Sequence, residues 1–297
     1  MSQAISPSTT QPYGLARVCR VWGIARSTVY WQQRREPSPS GTRRGPLGPC
    51  TDDDLVAAIR RVLQASPFPG EGYRKVWARL RHSGLRTSPR RVLRLMRAHQ
   101  LLAPTRQGHP HGPKAHDGTS IPASVDRMWG TDMTATFTRQ EGQVAIFITV
   151  DHCSAECVGI HAAKQGTRFE ALEPLRQGVR LHFGTFGQDS AQGLVLRHDH
   201  GSQYMSHVFQ EELRFLGIAS SPAFVREPEG NGCAERFIRT LKENLLWLTT
   251  FDTVEELRLA LHAFQRQYNE TWLIGRHGYK APAQVRYEQQ CALADAA

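Results

Sequence analysis

The 297 residues are 40% hydrophobic and carry a net charge of +10. No stretch approaches the roughly 18 consecutive apolar residues of a membrane helix, so we expect no membrane-spanning segment. The charge is uneven: residues 1–120 contain 20 Lys and Arg against 6 Asp and Glu, whereas residues 121–297 contain 17 against 21. A basic front attracts phosphate backbones. This pattern favours nucleic acid over an anionic membrane surface, because no amphipathic helix of Trp or Phe with Lys stands out.

Cysteines and the first residues bear on the compartment. Six cysteines are scattered along the chain, and no pair has the C-x-x-C spacing of a zinc or redox site, so we expect reduced thiols. Residues 1–11 lack the basic start and apolar middle of a secretory signal. Both observations indicate a cytoplasmic protein.

Two stretches rich in Pro, Gly, Ser or His, residues 37–51 and 103–124, are predicted linkers. They divide the chain into a first small helical domain (1–36), a second (52–102) and a larger domain (125–287). Residues 288–297 are a predicted tail.

The first block has the pattern of a helix-turn-helix. Its first helix carries apolar residues at helical spacing: Leu15, Val18, Val21 and Trp22. Gly23 supplies a turn, and a second helix opens at Arg26, a candidate DNA contact. A plain helical hairpin is the alternative interpretation.

The second block predicts three helices. The acidic run that starts at Asp52 suits the N-terminus of the first. Ser88 and Pro89 suit the start of the third, in which Val92, Leu95 and Met96 are predicted to face inward. Four arginines are predicted to stay outside: Arg90, Arg91, Arg94 and Arg97. They form either an ordinary solvated face or a phosphate-binding one. We favour the second interpretation because no acidic residue lies among them.

The third block alternates strand and helix patterns. Strands are predicted at 128–137, 143–150, 157–163, 194–199 and 218–221, and long helices at 233–248 and 254–268. Three consecutive strands followed by strand-helix units imply a mixed sheet covered by helices, an α/β fold.

Three acidic residues of this block could converge. Asp132 lies in the first predicted strand, Asp199 ends the fourth, and Glu235 lies in the first turn of a helix, 36 positions after Asp199. Carboxylates at strand ends and on an adjoining helix can meet at a sheet edge and bind hard divalent cations. Glu235, Arg239 and Lys242 share a helix face at i, i+4 and i+7. An ordinary ion pair between Glu235 and Arg239 is the alternative.

Around these residues the sequence resembles the DDE transposases of bacterial insertion sequences, of the OrfB type, and the related retroviral integrase cores. Three motifs in order carry the resemblance, together with Lys242: Trp-Gly-Thr-Asp at 129–132, His-Asp-His-Gly-Ser-Gln-Tyr at 198–204 and Gly-Asn-Gly-Cys-Ala-Glu-Arg-Phe at 230–237. The resemblance implies an RNase H-like core, a mixed five-stranded sheet with flanking helices, preceded by small all-α helix-turn-helix modules. The chain departs from many relatives after Tyr268-Asn269, where it lacks their Arg-Pro-His segment.

The resemblance also implies a chemistry. Asp132 would bridge two Mg²⁺ ions, with Mn²⁺ as a substitute, while Asp199 and Glu235 would each hold one. The activity would be that of a polynucleotidyl transferase, which cleaves the ends of an insertion sequence and joins them to target DNA. Lys242, Arg239 and the arginines of the front modules would contact double-stranded DNA, namely the terminal repeats and the target. We expect a homo-oligomer on DNA and a nucleoid-associated location.

Two alternatives remain open at this point. One is an RNase H-like nuclease that cuts without joining. The other is a non-enzymatic DNA-binding regulator of transposition. Neighbouring residues need not take part in either: His198 and His200 are expected to pack or contact substrate, and Asp151 with Ser154 is expected to shape a turn.

Overall fold

A computed structural model describes residues 3–33, 50–104, 121–223 and 231–295. It divides into two units, Met1–Gly48 and Pro49–Ala297. Most of the predicted linkers (37–49 and 105–120), the motif residue Gly230 and the last two residues of the tail lie outside the described residues. All six cysteines lie within them and are free thiols, as predicted.

The first unit contains helices α1 (Leu15–Val21) and α2 (Arg26–Gln33), as the sequence predicts. Gly23 turns the chain between them with a φ of 64°. The predicted apolar face is not buried in this unit: Cys19 is buried, whereas Val21 and Trp22 are 75% and 59% exposed. The helix-turn-helix assignment of this unit stays a prediction.

The second unit begins with three helices, α3 (Asp52–Ala65), α4 (Tyr73–His82) and α5 (Pro89–Ala98). Thr51 caps α3 in a capping box with Asp54, and Ser88 caps α5. The three helices enclose a small core formed by Leu55, Ile59, Val76, Leu80, Val92, Leu95 and Met96. The residues predicted to face inward on α5 therefore do so.

Five strands form one mixed sheet: β1 (Met128–Thr138), β2 (Gly142–Asp151), β3 (Cys157–Ala163), β4 (Val195–His198) and β5 (Ala219–Pro222). Their order is β3-β2-β1-β4-β5. The pairs β1/β2 and β2/β3 are antiparallel, whereas β1/β4 and β4/β5 are parallel. The predicted five-stranded mixed sheet is confirmed.

Helices cover both faces of this sheet. They are α6 (Arg168–Phe183), α7 (Ser202–Met205), α8 (His207–Phe215), α9 (Gly232–Leu241), α10 (Val254–Thr271) and α11 (Pro282–Asp295). One core joins α6, α7 and α8 to side chains such as Phe147 and Trp129, and the other joins α9 and α10 to Ile146 and Ile148. Alternate strand residues thus fill opposite cores. Within the described ranges, no helix is both long and apolar enough to cross a membrane.

The helix predicted at 233–248 is not continuous. After α9 ends at Leu241, the chain makes a π-helical turn over Lys242–Leu246, in which the Trp247 N–H donates to the Lys242 carbonyl at 3.0 Å. The wider turn rotates the following residues away from the apolar face. Leu248, which a continuous helix would place on the same face as Leu241 and Leu245, is therefore 62% exposed, so the prediction of one unbroken helix over 233–248 is wrong.

The three-helix module packs directly on the larger domain. Phe68, between α3 and α4, contacts Phe264 and Trp272 edge to face, with ring centroids 6.1 and 4.8 Å apart. Arg79 of α4 forms a two-pronged ion pair with the buried Glu71 and also donates to the Thr271 carbonyl at 3.2 Å. Aromatic burial and a paired charge together fix the module at the end of α10.

A buried ionic cluster anchors the segment that leads into β1. Arg286 of α11 pairs with both oxygens of Asp126 and with Glu156. The Asp126 N–H donates to Asp151, whose second oxygen accepts from the Ser154 N–H and hydroxyl at 2.7 and 2.8 Å. The predicted turn-shaping role of Asp151 and Ser154 is confirmed, and α11 is tied through this turn to the start of β1.

Replacing Arg286 tests this anchor. Arg286→Met leaves Asp126 and Glu156 without their buried partner, so we expect unfolding free energy to fall by about 3–5 kcal/mol in a urea titration. Lys280→Met is the matched control. Lys280 pairs with Glu288 of α11 at a much more exposed site, so this substitution should lower the unfolding free energy by less than about 1 kcal/mol. Equal losses in the two variants would contradict the assignment of the cluster as an anchor.

Candidate functional site

Asp132 lies on β1 just past the point where β4 stops pairing. The parallel register aligns Gly130 with Arg197, and continuing it by two residues sets Asp132 beside Asp199. Neighbouring strands run about 4.8 Å apart. The Asp132 carboxylate accepts the Met133 N–H at 2.7 Å, which holds it near its own backbone. The strand register therefore brings the first two predicted acidic residues to the same edge.

Asp199 directly follows the last residue of β4. Its carboxylate accepts the Gly201 N–H at 2.8 Å, and its backbone carbonyl lies 2.7 Å from Nδ1 of His198. His198 is fully buried, and its Nε2 lies 2.9 Å from the Ser220 hydroxyl. His198 packs as expected and fixes the backbone that carries Asp199, whereas His200 is exposed.

Tyr204 of α7 is a buried neighbour to which the sequence analysis gave no role. Its ring packs against those of His198 and Phe209, with centroids 5.7 and 5.4 Å apart. Burial raises the pKa of the Tyr204 hydroxyl, and the negative charges of Asp132 and Asp199 act in the same direction. The charges of both aspartates thus affect the pKa of this one side chain. The motif contained Tyr204, but nothing in the sequence alone distinguished it from an ordinary core residue.

Glu235 reaches the site from the first turn of α9, where it is exposed to solvent. The surrounding protein removes part of the water around this carboxyl, and this partial burial raises the pKa of Glu235. Arg239, one turn further on, pairs with Glu243 at 2.9 Å. The alternative of an ion pair between Glu235 and Arg239 is therefore not the arrangement observed. Lys242 begins the π-helical turn and is half-buried.

The electrostatics of Asp132 unite the four groups. The pKa of Asp132 is raised to about 6, first by burial and then by the charges of Asp199 and Glu235, while the Met133 N–H and the Lys242 ammonium act to lower it. A charge shifts a neighbour appreciably only when it lies close by. Asp199, Glu235 and Lys242 therefore lie near enough to Asp132 for their charges to change its pKa.

The donor set fits a divalent cation. It consists of carboxylate oxygens that repel one another, which suits a hard ion such as Mg²⁺ better than Zn²⁺. Among the described residues, no three His, Cys, Asp or Glu side chains are already arranged to hold a metal ion. Two of the carboxylates are turned onto the N–H groups of Met133 and Gly201. The chemistry of the donors thus suits a divalent cation, while backbone N–H groups hold the two aspartates in this structure.

Family models match most of the second unit. A model of an HTH-like domain matches residues 51–109, and two models of an integrase core domain match residues 122–228 and 216–282, together more than half of the chain.

Curated relatives extend the match to nearly the whole length. The chain is 26% identical over 287 residues to the transposase InsD for insertion element IS2A/D/F/H/I/K of Escherichia coli, covering 94% of this chain and 93% of the relative. The chain belongs to the integrase-core transposases. A transposase InsD for insertion element IS2D of E. coli strain K12 matches to the same extent. Among solved structures, the catalytic core of BIV integrase is 19% identical, with a TM-score of 0.41 over 57% of this chain and 99% of that one.

The HTH-like domain of the transposase contains the four predicted DNA-contacting arginines of α5. Asp52 at the start of α3 pairs with Arg91 and Arg94 at 2.7 Å each, and Arg91 also donates to the Cys50 carbonyl. Folding brings Asp52 of α3 to two of them, so Arg91 is partly buried whereas Arg94 stays exposed as expected. Their contact with DNA stays a prediction. Arg90 and Arg97 are exposed.

The raised pKa of Asp132 predicts a pH-dependent stability of the metal-free transposase. Its folded-state pKa lies near 6, above the usual 3.8, so ionisation destabilises the folded form increasingly from about pH 4 to pH 6. Asp132→Asn removes that ionisation, and the amide oxygen can still accept the Met133 N–H. We expect the variant to be more stable at pH 7 by up to about 3 kcal/mol.

Urea denaturation in the presence of EDTA at pH 4 and pH 7 measures this difference. The two proteins should be equally stable at pH 4, which serves as the internal control. A gain that is the same at both pH values would mean that the charge of Asp132 is not the cause.

Proposed function

We propose that this transposase cleaves the ends of its mobile element and joins them to target DNA, with Asp132, Asp199 and Glu235 as the catalytic residues. The observation that carries the proposal is the β1/β4 register, which brings Asp132 and Asp199 to one edge of the sheet, with Glu235 and Lys242 near enough to change the pKa of Asp132. Because Asp132 and Asp199 each lie two residues past the last β1/β4 pair, Gly130 with Arg197, the sheet directs both towards the same edge. The strand register is a geometric observation that is independent of the family match.

The carboxylates would hold the divalent ions at the edge of the sheet. Asp132, Asp199 and Glu235 would hold these ions, and the two aspartates would first release the N–H groups of Met133 and Gly201. Two bound Mg²⁺ ions, or Mn²⁺ in their place, supply activation of the attacking oxygen and stabilisation of the leaving oxygen at the phosphodiester. A bound cation would offset the burial and the charge repulsion that raise the pKa of Asp132, so metal binding would lower this pKa.

The cationic side chains would position DNA around this edge. Lys242 lies close enough to lower the pKa of Asp132, so its ammonium can contact a phosphate next to the reacting one. Arg239 is exposed one turn before the π-helical turn, although it shares its charge with Glu243. In the front modules, exposed Arg26, Arg90 and Arg97 would bind the backbone of the terminal repeats, and Arg94 would do so if it leaves Asp52.

The reaction requires no covalent enzyme intermediate. Water attacks a phosphodiester at the element end, and the freed 3′-OH then attacks a phosphodiester of the target DNA. Each attack exchanges one P–O bond for another. Because joining needs two ends at one target, we expect a homo-oligomer to assemble on the DNA.

Conservative carboxylate variants test the catalytic assignment. We expect Asp132→Asn, Asp199→Asn and Glu235→Gln each to lower both end cleavage and strand transfer by at least about 100-fold, because each removes a negatively charged ligand. The measurement is a mini-element assay on a gel, with the DNA flanking the gene as substrate. Glu211→Gln, at an exposed site on α8, is the control and should retain activity.

The same assay separates the rivals. Cleaved ends that never join would support a nuclease in place of a transposase. Transposition in cells that survives all three carboxylate variants would support a non-enzymatic regulator. Either result would overturn the proposed function.

Arginine variants test the DNA-binding surface. We expect Arg90→Ala with Arg97→Ala to weaken binding of the flanking duplex and to reduce the slope of log affinity against log salt by about one for each phosphate that is no longer neutralised. Fluorescence anisotropy from 50 to 200 mM salt measures both. Arg214→Ala, at an exposed site on α8, is the control. An unchanged slope in the double variant would exclude these two arginines as phosphate ligands.

A further inference from the structure

Asn231 occupies the position that precedes α9, where the sequence places a good N-cap residue. Its side chain does not cap the helix. Instead, its Nδ2 donates to the Thr131 carbonyl on β1 at 2.9 Å, and the residue is only 6% exposed. The Asn231 amide therefore forms a hydrogen bond between the start of α9 and β1 in place of a capping bond within its own helix.

Both ends of this bond lie next to predicted catalytic residues. The Thr131 carbonyl belongs to the peptide that leads into Asp132. Asn231 precedes Glu235 by four residues, which is about one helical turn. A single buried hydrogen bond thus joins the backbone that carries one carboxylate to the helix that carries another.

The fit around this bond is tight. The Asn231 Oδ1 is buried and has no hydrogen-bond partner among the described residues. A Cβ on Gly130 would lie 2.5 Å from that oxygen and 2.5 Å from Nε2 of His152. Glycine at 130 is therefore needed for the close approach of the amide to β1. Burying an amide oxygen without a hydrogen-bond partner costs free energy, and the hydrogen bond at Nδ2 offsets part of this cost.

We propose that Asn231 is a positioning residue, which sets the separation between Glu235 and Asp132 through its hydrogen bond to Thr131. The inference rests on the proposed function, because it assigns Asn231 to the same carboxylate site. Asn231 itself need not contact metal or DNA. Loss of the bond frees the first turn of α9 to shift, so the three carboxylates no longer close around a cation together.

Asn244 offers a matched control on the same helical segment. It is a half-buried asparagine whose Nδ2 donates to the Thr240 carbonyl at 2.8 Å, within its own helix, and whose Oδ1 is also buried and unpaired among the described residues. Removing its amide costs a comparable bond. It does not release α9 from β1.

The experiment compares Asn231→Ala and Asn231→Asp with Asn244→Ala and Asn244→Asp in the full-length protein. Mn²⁺ alone is the probe, and the loss of its free-ion EPR signal measures binding. We expect Asn231→Ala to weaken Mn²⁺ binding about 10- to 100-fold, the range typical of residues that orient metal ligands. Each Asn244 variant should change it less than about threefold. Asn231→Asp keeps the shape, loses the donor and shows whether an added charge masks the effect.

Hydrogen exchange of the metal-free protein gives a second readout. The peptide that contains residues 231–241 should exchange faster in the Asn231 variants and unchanged in the Asn244 variants. Gly130→Ala should act in the same direction as Asn231→Ala, since it displaces the amide without deleting it. Melting temperatures show whether each variant is folded, and peptides from α10 serve as the internal reference, because a general loss of stability would speed their exchange as well.

Equal Mn²⁺ affinities and equal exchange in the Asn231 and Asn244 variants would overturn the inference. Asp132→Asn serves as the reference for the site itself. If Asp132→Asn left Mn²⁺ binding intact, the proposed function would fail, whereas the exchange result would still judge the tie between α9 and β1. The two failures are therefore distinguishable.

Discussion

The carboxylates at the edge of the sheet repel one another, and the protein holds them together nevertheless. The effect is largest at Asp132, which is the most enclosed of the three carboxylates and whose pKa is raised to about 6. Such an arrangement stores unfavourable electrostatic energy in the metal-free fold and releases it when a cation arrives. Much of the surrounding architecture can be understood as the means by which this crowding is tolerated.

The contacts that hold the aspartates in place lie in the protein core behind the site. Parallel pairing of β1 with β4 aligns the two aspartates, and His198 braces the backbone at Asp199 from within the core. The cluster around Arg286 fixes the residues that lead into β1. These contacts are buried and mutually satisfied, whereas the carboxylate edge is open to solvent. The structure thus concentrates rigidity behind the reacting groups and leaves their side-chain rotamers adjustable.

Much of this architecture was predictable from the sequence, because it depends on patterns within short segments. Strand alternation and apolar runs located all five strands, and motif spacing singled out Asp132, Asp199 and Glu235, whose roles stay predictions. The sequence could not reveal features that depend on distant partners. Asp52 meets Arg91 only after α3 and α5 pack, and Asn231 looks like a helix cap until β1 lies beside it. The π-helical turn at Lys242 escaped for another reason: its residues suit an ordinary α-helix, and only the pattern of backbone bonds separates the two.

The packing of the HTH-like domain against α10 has a further meaning for the DNA. Phe68 and Arg79 join that domain to the core without an intervening flexible span at the contact. A duplex bound to both parts would thus contact two surfaces at a fixed separation. The number of base pairs between the recognised sequence and the cut would have to match that separation. B-form DNA turns once in about 10.5 base pairs, so adding half a turn there would present the wrong side of the duplex to the carboxylates.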